Sequence, residues 1–305
     1  MSEFQVYYLG CGSATPTVRH LPSCQVLNFR GSLHMIDCGE GAQLQFRRNK
    51  LKFSRLNHIY VSHIHGDHFL GLPGLLSTMA LHNIGGKVVV HVFDEGAEIL
   101  DHLMRVFCRE TSFEIEYDVI KPEDTLILDA KALTVETFPL DHRVPAVGFL
   151  FKEKQGPRHL NGEMARFLQI PPSLIPGIIN DGNDFVRPDG SVVPNERITT
   201  DPTPARSYTY CSDTLYMPSL GERLRGVNTI YHEATYMSDN THKAEARGHS
   251  TAAQAAAVAQ AAGAQRLVLG HYSQAYDADE PFAQEAATIF SGEVIAAHEG
   301  LKIDI

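Results

Sequence analysis

The chain has 305 residues, of which 43% are hydrophobic and 20% charged, enough for one large globular domain or two small ones. Its formal net charge of −10 excludes a protein that binds nucleic acid by overall positive charge and leaves room only for a local basic patch. The five cysteines are scattered without CxxC pairs, which excludes a disulfide framework and a thiolate metal site. No apolar run reaches the roughly 18 residues of a membrane helix, and the opening Met-Ser-Glu-Phe lacks an export signal, so a cytoplasmic address is expected.

Taken in order, Gln5–Leu9, Cys24–Phe29, Ser32–Asp37 and His58–Ser62 read as short strands. Val88–Phe93 is a further strand whose continuous β-branched residues suit burial on both faces. Helical patterns occupy Gly41–Arg48, Leu72–Leu81 and Glu95–Arg109. Strands follow from Phe113 to Lys152, with Thr125–Leu128 and Leu133–Phe138 as a hairpin through Asp129–Ala130. From 155 to 200 the chain turns rich in proline, glycine and asparagine, and an irregular insertion protruding from the core is expected. Ser207–Cys211, Thr229–His232 and Arg266–Gly270 then read as strands, and Ala252–Ala262 as a helix capped by Thr251 with Gln254 three residues on. A helix over Pro281–Phe290 and strands over Val294–His298 and Leu301–Ile305 complete the chain. The whole predicts an α/β fold of two packed sheets with helices outside.

Sixteen histidines make their positions worth following. The string His63-Ile64-His65-Gly66-Asp67-His68 directly follows the apolar strand Ile59-Tyr60-Val61. On an extended segment His63 and His65 share a side, because side chains alternate with a period of two. Gly66 allows a turn, after which Asp67 and His68 can serve a second point nearby. One short loop can thus feed two adjacent metals with the nitrogen and oxygen donors that zinc accepts. These groups cannot fill two coordination spheres, so more ligands must stand downstream. His142, Asp213 and His271 each follow an apolar strand. Asp213 is the natural bridge, with two oxygens to share. One zinc is assigned to His63, His65, His142 and Asp213, the other to Asp67, His68, Asp213 and His271. A metal pair suits phosphodiester hydrolysis, and Asp67 is the expected proton acceptor. His249 stands beside the helix start at Thr251, where unpaired N–H groups favour a phosphate. Arg47, Arg48, Lys50, Lys52 and Arg55 cluster before the metal strand as a candidate phosphate surface.

Asp37-Cys38-Gly39-Glu40-Gly41-Ala42-Gln43-Leu44-Gln45 resembles the signature that precedes the metal motif in ribonuclease Z, a family of the metallo-β-lactamase superfamily. Gly71–Leu81 resembles the segment that follows that motif, and Leu9–Pro16 with Arg19 is similar to the family's opening strand and loop. His232-Glu233-Ala234-Thr235, Gly248-His249-Ser250-Thr251 and Gly270-His271-Tyr272-Ser273 match shorter family motifs. The resemblance implies a metallo-β-lactamase-like four-layer αβ/βα sandwich with a protruding arm, two zinc ions per chain (manganese or iron as substitutes), and cleavage of precursor tRNA after the discriminator base, usually by a homodimer. It implies His249 as a catalytic group at the scissile phosphate or leaving oxygen, with Glu233 orienting it or a ligand. From the residues themselves, Arg47 and Arg48 of the basic cluster and Thr251 at the helix start are the expected substrate contacts. The expected arm departs from the family. Between Pro157 and Thr200 its charges are Arg158, Arg166, Arg187 and Arg197 against Glu163, Asp181, Asp184, Asp189 and Glu196, so it is not basic. A small-substrate hydrolase of the same fold would share the metal motif without needing the Asp37–Gln45 string or the arm. A non-catalytic scaffold would tolerate loss of ligands, yet all seven are present.

Overall fold

The computed structural model describes residues 3–108 and 110–305. Alternating and all-apolar runs in the first third become strands β1 (Phe4–Gly10), β2 (Cys24–Phe29), β3 (Ser32–Ile36), β4 (Leu56–Tyr60), β5 (Gly86–Val92) and β6 (Phe113–Val119). Between them lie helices α1 (Ala42–Arg48), α2 (Gly66–Phe69), α3 (Leu72–Leu81) and α4 (Asp94–Phe107). The helix expected over Glu95–Arg109 is α4, and its expected last residue, Arg109, lies outside the described residues. Gly66 does not simply turn the chain, as expected, but opens the one-turn helix α2.

The second sheet takes β7 (Thr125–Asp129), β8 (Leu133–Leu140), β9 (Ala146–Glu153), β14 (Ser207–Cys211), β15 (Thr229–Glu233), β16 (Arg266–Gly270) and β17 (Glu293–Ala296). The last strand, β18 (Lys302–Asp304), returns to pair with β1. The orders are β18-β1-β2-β3-β4-β5-β6 and β17-β16-β15-β14-β9-β8-β7. Strands β3 to β6 run parallel, as do β14 to β17.

Strand periodicity separates two apolar layers in the first sheet. Leu9, Val26, Met35, Val88 and Val90 pack with Phe46 of α1, Leu72, Leu75, Leu76 and Met79 of α3, and Leu100 and Met104 of α4. The alternate positions face the second sheet: Gln25 accepts a hydrogen bond from the Tyr208 hydroxyl, Tyr8 lies tilted against Tyr231, and Tyr60 packs on Phe149 and Phe151. On the second sheet α9 (Ala252–Ala262) has the expected capping box, with Thr251 and Gln254 bonding reciprocally. Helices α7 (Ser219–Arg223), α8 (Thr241–Arg247) and α10 (Glu280–Ala286) complete this half. The last is shorter than the Pro281–Phe290 expected. No helix among the described residues is long and apolar enough to cross a membrane.

A second compact unit comprises Asp129–Thr134 and Lys152–Arg206, the rest of the chain forming the first. It is less irregular than its composition predicts. It holds strands β10 (His159–Leu160), β11 (Phe185–Val186), β12 (Val192–Val193) and β13 (Thr199–Thr200), and helices α5 (Gly162–Phe167) and α6 (Ile175–Asn180). Strands of two residues are too short to leave a period in the sequence. A core of Ala165, Ile170, Ile178, Phe185, Val193 and Ile198 holds the unit together, with the Asn195 amide donating to the Ile178 and Asn183 carbonyls.

Candidate metal centre

Parallel strands bring their C-terminal ends to one rim, and the first unit collects its chemistry there. His63 follows β4 by three residues, Asp213 follows β14 by two, and His271 follows β16 directly. His142 comes two residues after β8, and α2 presents Asp67 and His68. Ligating atoms of His63, His65, His142 and Asp213 all lie within 4.8 Å of one another, and those of Asp67, His68 and His271 do likewise. Asp213 faces both groups. Its Oδ2 is 3.7 Å from His63 Nε2 and 3.8 Å from His142 Nε2, while its Oδ1 is 3.4 Å from His68 Nε2 and 3.2 Å from His271 Nε2. The seven residues singled out in the sequence thus converge.

Hydrogen bonds at the outer nitrogens fix the tautomers. Asp37, which can only accept, takes the His68 Nδ1–H at 2.7 Å, and the Gly248 carbonyl takes that of His142 at 2.7 Å. Ser62 Oγ donates to Asp37 Oδ2 at 2.8 Å and so accepts from His63 Nδ1 at 3.1 Å. Thr235 Oγ1 donates to Glu233 Oε2 and so accepts from His271 Nδ1, both at 2.8 Å. Each ring therefore turns an Nε2 lone pair inward, the arrangement that prepares histidine for a metal. Facing ring nitrogens stand 3.0 Å apart for His63 and His65 and 3.3 Å apart for His68 and His271. Where both tautomers are fixed, as at His68 and His271, opposed lone pairs at that distance repel without a cation between them. Donors about 2.0–2.2 Å from a tetrahedral zinc are themselves about 3.3–3.6 Å apart, close to the spacings found. Asp213 Oδ1, buried and without a hydrogen-bond donor among the described residues, would be satisfied the same way. The donor set fits two divalent cations.

Electrostatics follow this crowding. Burial, reinforced by neighbouring His68 and His142, holds His63 well below its ordinary pKa. Burial would raise Asp67, but His68 and His271 outweigh it and keep the carboxylate ionised. Burial opposes protonation of His249, yet Glu233 and Asp213 push it up to about 9. His249 Nδ1 donates to Glu233 Oε1 at 2.9 Å, leaving Nε2 without a hydrogen-bond partner among the described residues. Glu233 therefore orients both His249 and, through Thr235, His271. Ala14, Asp37 and His271 adopt positive φ of 56°, 54° and 65°, a cluster of left-handed non-glycine residues typical of a functional site.

Three substrate-binding expectations meet different surroundings. Arg47 and Arg48 are exposed in the last turn of α1, where they complement the helix dipole, and neither lines the cleft beside the metal ligands. Thr251 is buried, with its hydroxyl and N–H engaged by Gln254, so it caps α9 rather than reaching a substrate. Nor does α9 offer a phosphate free N–H groups. Ala252 N donates to the Tyr236 carbonyl, Ala253 N to Glu285 and Gln254 N to Thr251. Sequence reasoning missed Asp37 as an orienting group. It is a fully buried carboxylate accepting from Ser62 N, Ser62 Oγ, His68 Nδ1 and Tyr210 Oη at 2.7–2.8 Å. Its signal was an acidic residue ending an apolar strand, the pattern that also marked Asp213. The Gly248 carbonyl left no signal, although its αL conformation (φ 76°) and the 2.9 Å from an added Cβ to His142 Nδ1 make glycine necessary there.

A family model described as anti-Pycsar protein Apyc1 matches residues 4–156, and one described as a beta-lactamase superfamily domain matches residues 197–272. The chain is 45% identical to a ribonuclease Z of Porphyromonas gingivalis over 306 aligned positions that cover 100% of both chains. It is likewise 45% identical to a ribonuclease Z of Bacteroides thetaiotaomicron, covering 100% of this chain and 96% of the other. The fold is similar to human tRNase Z, short form, with a TM-score of 0.70, 24% identity and 99% of each chain covered. It is also similar to the metallo-beta-lactamase fold protein YhfI of Bacillus subtilis, with a TM-score of 0.70, 18% identity and 100% of each chain covered.

Proposed function

This chain belongs to the ribonuclease Z family, and on that premise we propose that it is a metal-dependent endoribonuclease that cuts precursor tRNA after the discriminator base. The observation that carries the reading is the placement of Asp213, whose two oxygens face two complete donor groups. His63, His65, His142 and Asp213 would hold one cation and Asp67, His68, His271 and Asp213 the other, zinc suiting the donors best and manganese or iron accepting them too. Such a pair supplies a water activated at neutral pH and positive charge at the phosphate as hydrolysis proceeds.

The chain's own groups carry the protons. Asp67 is held by the Ala14 N–H at 2.7 Å on Oδ2 and stays ionised, so it can take the proton of the attacking water. A new bond forms between that water's oxygen and phosphorus while the bond from phosphorus to the 3′ oxygen breaks. His249, anchored through Nδ1 on Glu233, has Nε2 to hand a proton to that leaving oxygen. The products are a tRNA with a 3′-hydroxyl and a trailer with a 5′-phosphate. The second unit, Lys152–Arg206 with Asp129–Thr134, is the part assigned to holding the tRNA body, by shape and backbone contacts since its charges are mixed. A cytoplasmic address and a homodimer belong to the same reading; sedimentation tests the latter.

Incubating metal-loaded protein with an end-labelled precursor tRNA tests the proposal. A single cut after the discriminator base with the stated ends is expected. A ladder receding from the 3′ end would replace an endonuclease by an exonuclease. An intact precursor together with hydrolysis of bis-p-nitrophenyl phosphate would favour the small-substrate hydrolase.

A further inference from the structure

A second cavity of about 590 Å³ is lined by Ile64, Phe93, Val119, Ile120, Pro122 and Pro145 together with the charged Asp94, Glu95 and Lys121. The donor cluster itself opens into a different cleft of about 310 Å³, lined in part by His65, Asp67, Arg143, Asp213 and His249. No residue lines both, but their linings adjoin along the chain at two places. Ile64 stands between His63 and His65, and Arg143 and Pro145 lie just past His142 on one loop. The Val147 N–H bonds the Ser62 carbonyl at 3.0 Å and ties these two segments together.

Arg143 is exposed in the cleft and has no carboxylate partner among the described residues. Some arginines elsewhere are paired, as Arg19 is with Asp279, Arg223 with Asp124 and Glu136, and Arg266 with Glu293, whereas Arg143 is set apart by its place in the lining of this cleft. In a chain of net charge −10, a guanidinium left unpaired beside the reacting centre is suited to an incoming anion. The neighbouring cavity suits the opposite chemistry. Its lining is mainly apolar, its size falls within the roughly 300–1,000 Å³ of ligand pockets, and Phe93 offers an aromatic face. Arg143 and Pro145 are two residues apart, at most about 7 Å along the chain, the scale of one nucleotide from phosphate to base.

We propose that this cavity is a nucleotide subsite: it receives the base of one RNA residue flanking the cut, while Arg143 holds the adjoining phosphate. The assignment rests on the endoribonuclease reading and adds to it a place where the single-stranded end is gripped. Unstacked bases bind to aromatic and apolar surfaces with little sequence preference, so the subsite enforces an unpaired residue rather than a particular base.

The test uses wild-type protein and the Val119→Asp and Arg143→Ala variants, with precursor tRNA intact or abasic at either position flanking the cut. With wild type, removing the base at one flanking position lowers kcat/KM about tenfold, the lower part of the range for a stacked base. Val119→Asp, at a position 47% exposed, lowers kcat/KM for the intact precursor, and the abasic substitution then adds nothing. Arg143→Ala raises KM for the precursor. A base removal without effect in wild type, or with the same effect in Val119→Asp, overturns the subsite. Failure of wild type to cut the intact precursor instead removes the endoribonuclease reading on which it stands.

Discussion

Asp37→Asn tests how far the metal centre depends on a residue that never touches a metal. The carboxylate accepts from Ser62 N through Oδ1 and from Ser62 Oγ, His68 Nδ1 and Tyr210 Oη through Oδ2. An amide cannot repeat this in either orientation. With its oxygen at the Oδ2 position, its NH2 meets the Ser62 N–H at 2.7 Å; flipped, the NH2 meets three donors. The gentler arrangement loses one charge-assisted bond and leaves two buried donors, the Ser62 N–H and the new NH2, facing each other, together about 2–6 kcal/mol. That is a sizeable part of a typical net stability of about 5–15 kcal/mol. His68 also loses the anion that fixes its Nδ1 proton, so affinity at the second metal position should fall about 10- to 100-fold. Urea unfolding of metal-free protein measures the first effect, and zinc titration with a competing chelator the second. Wild-type values for both in Asp37→Asn would refute the orienting role.

Four further outcomes are expected. Asp67→Ala should lower cleavage by at least about 10³-fold while the precursor still binds in a gel-shift assay, and full activity would remove Asp67 from the chemistry. His249→Ala should slow turnover about 10²- to 10⁴-fold with metal content by mass spectrometry unchanged; zinc loss would make it a ligand instead. Deleting 157–194 should raise KM for precursor tRNA and leave bis-p-nitrophenyl phosphate hydrolysis intact, and an unchanged KM would end the gripping role of that unit. Burial lowers His20, but Asp279 and Glu299 more than offset this and push it up to about 9. Its folded pKa thus exceeds the unfolded value of about 6.5, so its stabilisation is complete below pH 6.5 and fades as pH rises through 9. With solvent screening this is about 1–2 kcal/mol, and His20→Gln should flatten the stability profile over that window.

The sequence made the metal centre legible because four donors stand within six positions and three more stand at the ends of apolar strands. Those signals are local, and each strand carried its donor to the rim. What it could not convey depends on partners distant in the chain. Asp37 reaches His68 across 31 positions, and the Gly248 carbonyl reaches His142 across 106. The free helix N-terminus expected at α9 was misread for the same reason, since Tyr236 and Glu285 satisfy its first amides from outside the helix. Histidine number misled in part. His34, His58 and His91 belong to a stack with Tyr60 between the sheets, where burial, reinforced by the neighbouring histidines, lowers His34 to about 3 and His58 to about 4. Nothing in a single sequence separates such rings from ligands except the strand position they occupy. The elements of the second unit escaped notice because two-residue strands carry no period.

The donors lie between positions 63 and 271, in segments that follow strands of both sheets, so no one segment of the polypeptide holds either coordination sphere alone. Each sphere is complete only once the sheets have docked, so an ion held by all of its donors would fasten the assembled state. Bound only by the assembled state, it lengthens that state's lifetime in proportion to free metal. A cell short of metal would then lose this enzyme first through turnover of the protein and only second through idle active sites.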